Sequence, residues 1–241
     1  MTRFKAIFFD AAGTLLHAHP SVGHVYAEVI GRHGPTVEPQ AMEQAFRKTF
    51  AARRNPAQHS ALSTQHSLMN EDYEWWKQLV FEVMADLRIK VASPDALFHE
   101  LYWRFAEVDA WRLFPDALPA LIEARGEGLK IAIISNWDVR LRRLLEGMGV
   151  ISLFDAVLIS TEVGVEKPDP RIFQFACEQL GVQPGEALHV GDNLREDVEG
   201  ARAAGVAAIL IDRKGGDDPG SGIITDLRQI DAVITRRQIR F

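Results

Sequence analysis

Cys177 is the only cysteine in 241 residues, so no intrachain disulfide can form and a reducing compartment is expected. Positive charge is also in short supply. A formal net charge of −6 gives no electrostatic reason to expect nucleic acid or anionic lipid as a partner. The basic ending Arg236-Arg237-Gln238-Ile239-Arg240 is too short to change that and reads as a solvated tail. No long apolar run opens the chain. Arg3-Phe4-Lys5 leads directly into a strand that stops at Asp10, which is neither a signal peptide nor a membrane span. Internal repeats are missing too. These absences point to a soluble, cytoplasmic protein. What is present, 47% hydrophobic and 25% charged residues, is ordinary for a globular enzyme. The length suits one large domain or a core with a smaller insertion. Nothing in the sequence fixes an oligomeric state.

The pattern along the chain changes character twice. Phe4–Phe9 is apolar except for Lys5, as a buried parallel strand would be. From His17 to about Arg112 the period is helical. Met42, Ala45, Phe46, Thr49 and Phe50 share a face, as do Tyr73, Trp76, Val80, Val83, Met84 and Leu87, and then Leu97, Leu101, Phe105 and Val108. Ser93-Pro94-Asp95 predicts a helix start: a capping hydroxyl, a ring at the first position, and an acid facing the dipole. About four helices are expected here. From Phe114 strands and helices alternate. Leu129–Ile134, Ala156–Ile159, Ala187–Val190 and Val206–Ile211 read as strands. Asp116–Ala124, Val139–Gly147, Pro170–Leu180 and Arg195–Ala204 read as helices, with Gly149, Gly181 and Gly205 as stops. Such alternation predicts an α/β fold with a parallel sheet covered on both faces. The Lys214–Gly222 stretch reads as a surface loop without chemistry.

Four short segments carry the polar chemistry. Ile7-Phe8-Phe9-Asp10-Ala11-Ala12-Gly13-Thr14 ends a strand in a carboxylate followed by a glycine turn. Such an aspartate can attack an electrophile or bind a metal, or it can bond its own backbone in a turn. Ile134-Ser135-Asn136 sets a hydroxyl at a strand tip, where it could bind a phosphoryl oxygen or begin a turn; Asp138 reads as a helix cap. Lys167-Pro168 offers an ammonium suited to phosphate, although most loop lysines are only solvated. Asp169 reads as a cap ahead of Pro170. Val190-Gly191-Asp192, with Asp197 five residues on, would suit magnesium, which needs one or two carboxylates and keeps waters; Asp197 could equally serve a helix dipole. Ligands of open α/β sheets bind at the carboxyl ends of strands, where three of these segments lie.

In that order the segments resemble the haloacid dehalogenase-like hydrolase superfamily, in the subfamily with a helical cap inserted after the first motif. Asp10, Ser135, Lys167 and Asp192 with Asp197 match its four motifs. Val163 to Phe173 and Leu188 to Leu194 resemble its rhythmically-expressed-gene-like branch more narrowly. The resemblance implies a Rossmann-like core at residues 1–16 and 113–241, a helical cap at 17–112, and hinges near Leu16–Pro20 and Ala110–Pro115. It further implies that Asp10 attacks phosphorus to form an aspartyl-phosphate that water hydrolyses. Mg2+ would be held by Asp10, the main-chain carbonyl of Ala12 and Asp192, with Asp197 in support. Magnesium and Lys167 would screen the repulsion between carboxylate and phosphate. Ser135, Asn136 and the segment Ala11, Gly13 and Thr14 would bind the transferring oxygens of a small phosphorylated substrate.

Position 12 departs from the pattern. The usual phosphatase has an aspartate there to protonate the leaving oxygen and then activate water; Ala12 does neither. Loss of a general acid–base costs about 10²–10⁴ in rate. Three explanations stand side by side: a good leaving group such as an acyl or aryl phosphate, a substitute proton donor among His17, His19 and His24, or a protein that binds a phosphorylated ligand with little turnover. Superfamily members that cleave carbon–phosphorus bonds also carry alanine here, but need a cap lysine. Lys48 and Lys77 are the candidates, and both read as solvated. Haloacid dehalogenation fits less well, because those enzymes work without a metal and extra carboxylates disfavour an anionic haloacid.

Overall fold

The computed structural model describes residues 4–53, 65–215 and 223–235. The basic ending at 236–240 and the loop residues 216–222 lie outside the described residues. The chain divides into two compact units, one of Met1–His17 with Leu113–Phe241 and one of Ala18–Arg112. In the first unit β1 (Ala6–Phe9) is buried along its whole length, which is why its sequence is apolar without alternation. β1 lies in the middle of a six-stranded sheet ordered β5-β4-β1-β6-β7-β8. The others are β4 (Lys130–Ser135), β5 (Ala156–Ile159), β6 (Ala187–Gly191), β7 (Ala207–Ile211) and β8 (Ile223–Ile224). Every pairing is parallel, with Phe8 opposite Ala132 on one side and His189 on the other. The chain therefore builds outward from β1 through β4 to β5, then returns across β1 to build the other half. That reversal puts a crevice at the carboxyl end of β1.

Helices α5 (Ala117–Gly126), α6 (Arg140–Gly147), α7 (Ser160–Val163), α8 (Pro170–Leu180), α9 (Gly200–Ala203) and α10 (Ile230–Thr235) accompany this sheet. α8 has the start and stop that its sequence predicts. Asp169 accepts the Arg171 N–H, Pro170 opens the helix, and Gly181 closes it with φ +63°. Its Ile172, Phe173, Ala176 and Leu180 form one core with Phe8, Ala132 and Ile134 of the sheet. Asp138 sits one residue before Val139, the N-cap position of α6, and its side chain serves the first turn as a cap would. It is buried, accepting the Arg140 N–H at 2.9 Å and pairing with its guanidinium at 2.6 Å.

The second unit contains α1 (Val22–Arg32), α2 (Pro39–Arg53), α3 (Gln65–Asp86) and α4 (Pro94–Arg104). Ser93 accepts the Ala96 N–H and Pro94 follows it, as expected for a helix start. α1 and α2 approach at Gly23, whose N–H donates to Glu43 at 2.7 Å. Lys48 pairs with Asp86 at 3.1 Å and Lys77 with Asp95 at 2.7 Å. Among the three histidines, His17 lies against Phe114 with centroids 4.7 Å apart, His24 bonds Ser21 at 2.9 Å, and His19 donates its main-chain N–H to Ala110.

The segments expected to act as hinges contain a two-stranded ribbon of β2 (Leu16–Ala18) and β3 (Trp111–Leu113). Strands of three residues carry no readable period, so the sequence gives no sign of them. No helix among the described residues is long and apolar enough to cross a membrane.

Candidate active site

The ladder of β1 runs on for one residue, with the Asp10 N–H donating to the Val190 carbonyl at 2.9 Å. The chain then turns sharply. Leu15 and Leu16 N–H groups both donate to the Ala11 carbonyl, and the Gly13 N–H donates to that of Leu16 at 2.8 Å. Gly13 has φ +89°, and a Cβ there would fall 2.3 Å from the Asp192 carboxylate. At the end of β6, Gly191 plays the same part for Asp197, whose Cγ would lie 2.1 Å from an added Cβ. Two glycines thus make room for two carboxylates at adjacent strand ends.

Lys167 joins these parts. Its ammonium lies 2.7 Å from Asp10 and 2.5 Å from Asp197, with only 2% of the side chain exposed. Ser135, the last residue of β4, points its hydroxyl at the same Asp10 oxygen at 3.4 Å. Asp197 comes from a π-helical turn, Leu194–Glu199. It also takes Nε2 of His189 at 3.0 Å and the Asn193 N–H at 2.9 Å.

Burial alone would lower the Lys167 pKa, but Asp10 and Asp197 outweigh it and hold the ammonium well above its ordinary value. Burial likewise works to raise Asp197, yet Lys167 and His189 win and bring it far below the carboxylate range. For Asp10 burial prevails over the attraction of Lys167, and the neighbouring Asp197 adds to the upward shift. His189 is pushed down by its burial, more than the Asp197 contact raises it. Two carboxylates therefore share one ammonium, beside a histidine that favours its neutral form.

A cation fits that balance. Oxygens of Asp10, Asp192 and Asp197 lie within 4.8 Å of one another, and all-oxygen carboxylate donors suit a hard divalent ion. Asp197 is already engaged by three donors, which suits it to support the shell. The carbonyl of Ala12 takes no part in the bridge between Ala11–Gly13 and Leu16, and its side chain is exposed.

Several residues expected to bind substrate are engaged within the protein or buried. The Gly13 N–H is spent on Leu16, so it is not a free donor for a phosphoryl oxygen. Ala11 and Thr14 are fully buried, and the Thr14 hydroxyl has no partner among the described residues. Asn136 is used from both ends: its Oδ1 accepts the Lys167 N–H at 2.7 Å, and its Nδ2 donates to the Lys167 carbonyl at 2.8 Å. It clamps the main chain of Lys167. Glu196, 3.3 Å from Nδ2, shares that donor. His189 is a site residue that the sequence reading passes over; its signal was a lone polar residue inside an apolar strand.

The family pattern described as haloacid dehalogenase-like hydrolase matches residues 4–205. The chain belongs to the haloacid dehalogenase-like hydrolase family. Haloacid dehalogenase-like hydrolase domain-containing protein 3 of Homo sapiens is 36% identical over 210 residues, 87% of this chain and 82% of that one. A phosphoserine phosphatase of Thermus thermophilus is 48% identical over 110 residues, 45% of this chain and 44% of the relative. Among solved structures, a HAD phosphatase from Thermococcus onnurineus superposes with TM-score 0.64 at 26% identity, covering 96% and 98% of the two chains. An L-2-haloacid dehalogenase from Xanthobacter autotrophicus gives 0.69 at 22% identity, covering 96% and 98%; that likeness shows the fold alone. Within this hydrolase family the chain's parallel six-stranded core is the expected α/β architecture.

Proposed function

We propose that this hydrolase is a Mg2+-dependent phosphatase acting on small phosphorylated metabolites through a covalent intermediate on Asp10. The observation that carries the reading is the Asp10–Lys167 contact of 2.7 Å beside carboxylates able to share one ion. A carboxylate oxygen of Asp10 attacks phosphorus, the bond to the leaving oxygen breaks, and its electron pair departs with that oxygen. Water then attacks the phosphorus of the acyl phosphate, releasing inorganic phosphate and restoring the carboxylate. Lys167 and Ser135 orient Asp10, and the ammonium offsets charge as the nucleophile meets a phosphoryl dianion. Asp10, Asp192 and the Ala12 carbonyl would hold Mg2+, which supplies charge neutralisation on the phosphoryl oxygens. Asn136 keeps Lys167 in register.

Since Ala12 offers no proton, the substrates best served are acyl and aryl phosphates, whose leaving groups depart as anions. A panel of phosphate esters with Mg2+ and chelator controls tests the reading. Turnover that needs Mg2+ and disappears in Asp10→Asn is expected; unchanged turnover in that variant would sink it. Ala12 also motivates a second reading, a protein that binds a phosphorylated ligand and barely turns it over. Saturable binding of a phosphometabolite without hydrolysis of any ester would favour it. The convergent acidic groups speak against a metal-free dehalogenase, and halide release from a 2-haloacid in the presence of chelator would reverse that judgement.

A further inference from the structure

The loop after Asp10 is anchored by a residue that none of the motifs contains. Arg213, in the turn after β7, donates from Nη2 to the Thr14 carbonyl and from Nη1 to both oxygens of Asp116 at 2.9 and 2.7 Å. Its guanidinium carbon lies 3.8 Å from the centroid of the Phe114 ring. Asp116 is 3% exposed and also accepts the Leu227 N–H at 2.7 Å. Arg213 thereby ties together the nucleophile loop, the segment before α5 and the turn after β7, and Asp116 adds the stretch before α10.

The Thr14 carbonyl belongs to a residue with no exposure at all, and a buried carbonyl left without a donor is costly. Thr14 is bonded directly to Gly13, whose backbone presses on the Asp192 carboxylate closely enough to exclude any Cβ. Ala12, whose carbonyl accepts no main-chain hydrogen bond among the described residues, is one residue further. A displacement at Thr14 therefore moves both the wall behind Asp192 and the Ala12 carbonyl.

We infer that Arg213 is a positioning residue for the cation site, fixing the Ala12–Thr14 loop through the Thr14 carbonyl. The inference rests on the Mg2+ reading above. An arginine is required because the planar fork serves Asp116 and Thr14 together while its face covers Phe114; a lysine has a single point charge and cannot do all three.

Mn2+ uptake by the full chain, followed by the electron paramagnetic resonance of the free ion without substrate, tests this. Wild type should bind one ion. Arg213→Met should bind it about tenfold or more weakly, the usual effect of removing a support behind metal ligands, with Arg213→Lys in between. The Mg2+ concentration for half-maximal turnover should rise in parallel while KM for an aryl phosphate stays put. A folded variant with a lower Tm but wild-type Mn2+ affinity would assign Arg213 a purely structural role and overturn the inference. Should Arg213→Met fail to fold, Arg213→Lys decides by the same comparison. A wild-type protein that takes up no ion overturns the cation reading itself, an outcome distinct from unchanged affinity in the variants.

Discussion

At position 12 an exposed methyl group stands where a proton donor is usual. The absent carboxylate should show in how rate depends on the leaving group. Introducing it, Ala12→Asp, is expected to raise kcat/KM on alkyl phosphates by about 10²–10⁴ and to change aryl phosphates much less. The measurement is a series of esters graded by leaving-group pKa: wild type should fall steeply as that pKa rises, the variant shallowly. Equal slopes would mean that the proton comes from another group. Asp10, Ser135, Lys167, Asp192 and Asp197 are legible in sequence because each has a local mark, a polar residue at the end of an apolar run or beside a turn. The part played by Asn136 has no such mark. Its amide is complementary to the main chain of Lys167, 31 positions away, and hydrogen-bond partners at that separation leave no trace in spacing. The same holds for Arg213, which reads as one more surface arginine until it meets Thr14 at 199 positions' distance.

Between elements, backbone approach is what sequence conveys least. α1 contains two glycines with opposite duties. A Cβ on Gly23 would lie 2.1 Å from the Pro39 carbonyl and 2.6 Å from the Glu43 nitrogen, whereas one on Gly31 would meet nothing within 4 Å. Gly23→Ala must push α2 away and should destabilise the protein by about 1–3 kcal/mol, the usual cost of overpacking. Gly31→Ala should be neutral or stabilising by up to about 1 kcal/mol, because alanine is the better helix former. Denaturant midpoints of the two variants check the contrast, and equal behaviour would contradict the close α1–α2 crossing. Long helices with clear caps, such as α8, are readable because capping and amphipathic period are local. The ribbon of β2 and β3, the two-residue β8 and the π-helical turn carrying Asp197 are set by what each segment packs on.

For the molecule as a whole, the sheet order creates an excess of negative charge that a cation would relieve. An ion that binds only the folded state stabilises it by mass action, about 2.7 kcal/mol at a concentration a hundredfold above its Kd. Mg2+ should therefore raise Tm, chelator should reverse the rise, and potassium chloride at equal ionic strength should not imitate it. Asp192→Asn should lose most of the shift; an undiminished shift would place the ion elsewhere. The sequence by itself determined the alternation of strands and helices, the helical insertion and the order of the polar segments, because side-chain periodicity, capping and turn chemistry act over a few residues. Only tertiary structure decided that Asp10 meets Lys167 across 157 positions, that Asn136 holds the main chain of Lys167, and that Arg213 holds the Thr14 carbonyl. Those contacts follow from β4 and β6 flanking β1, an arrangement set by burying both faces of the sheet at once, which no local stretch of chain encodes.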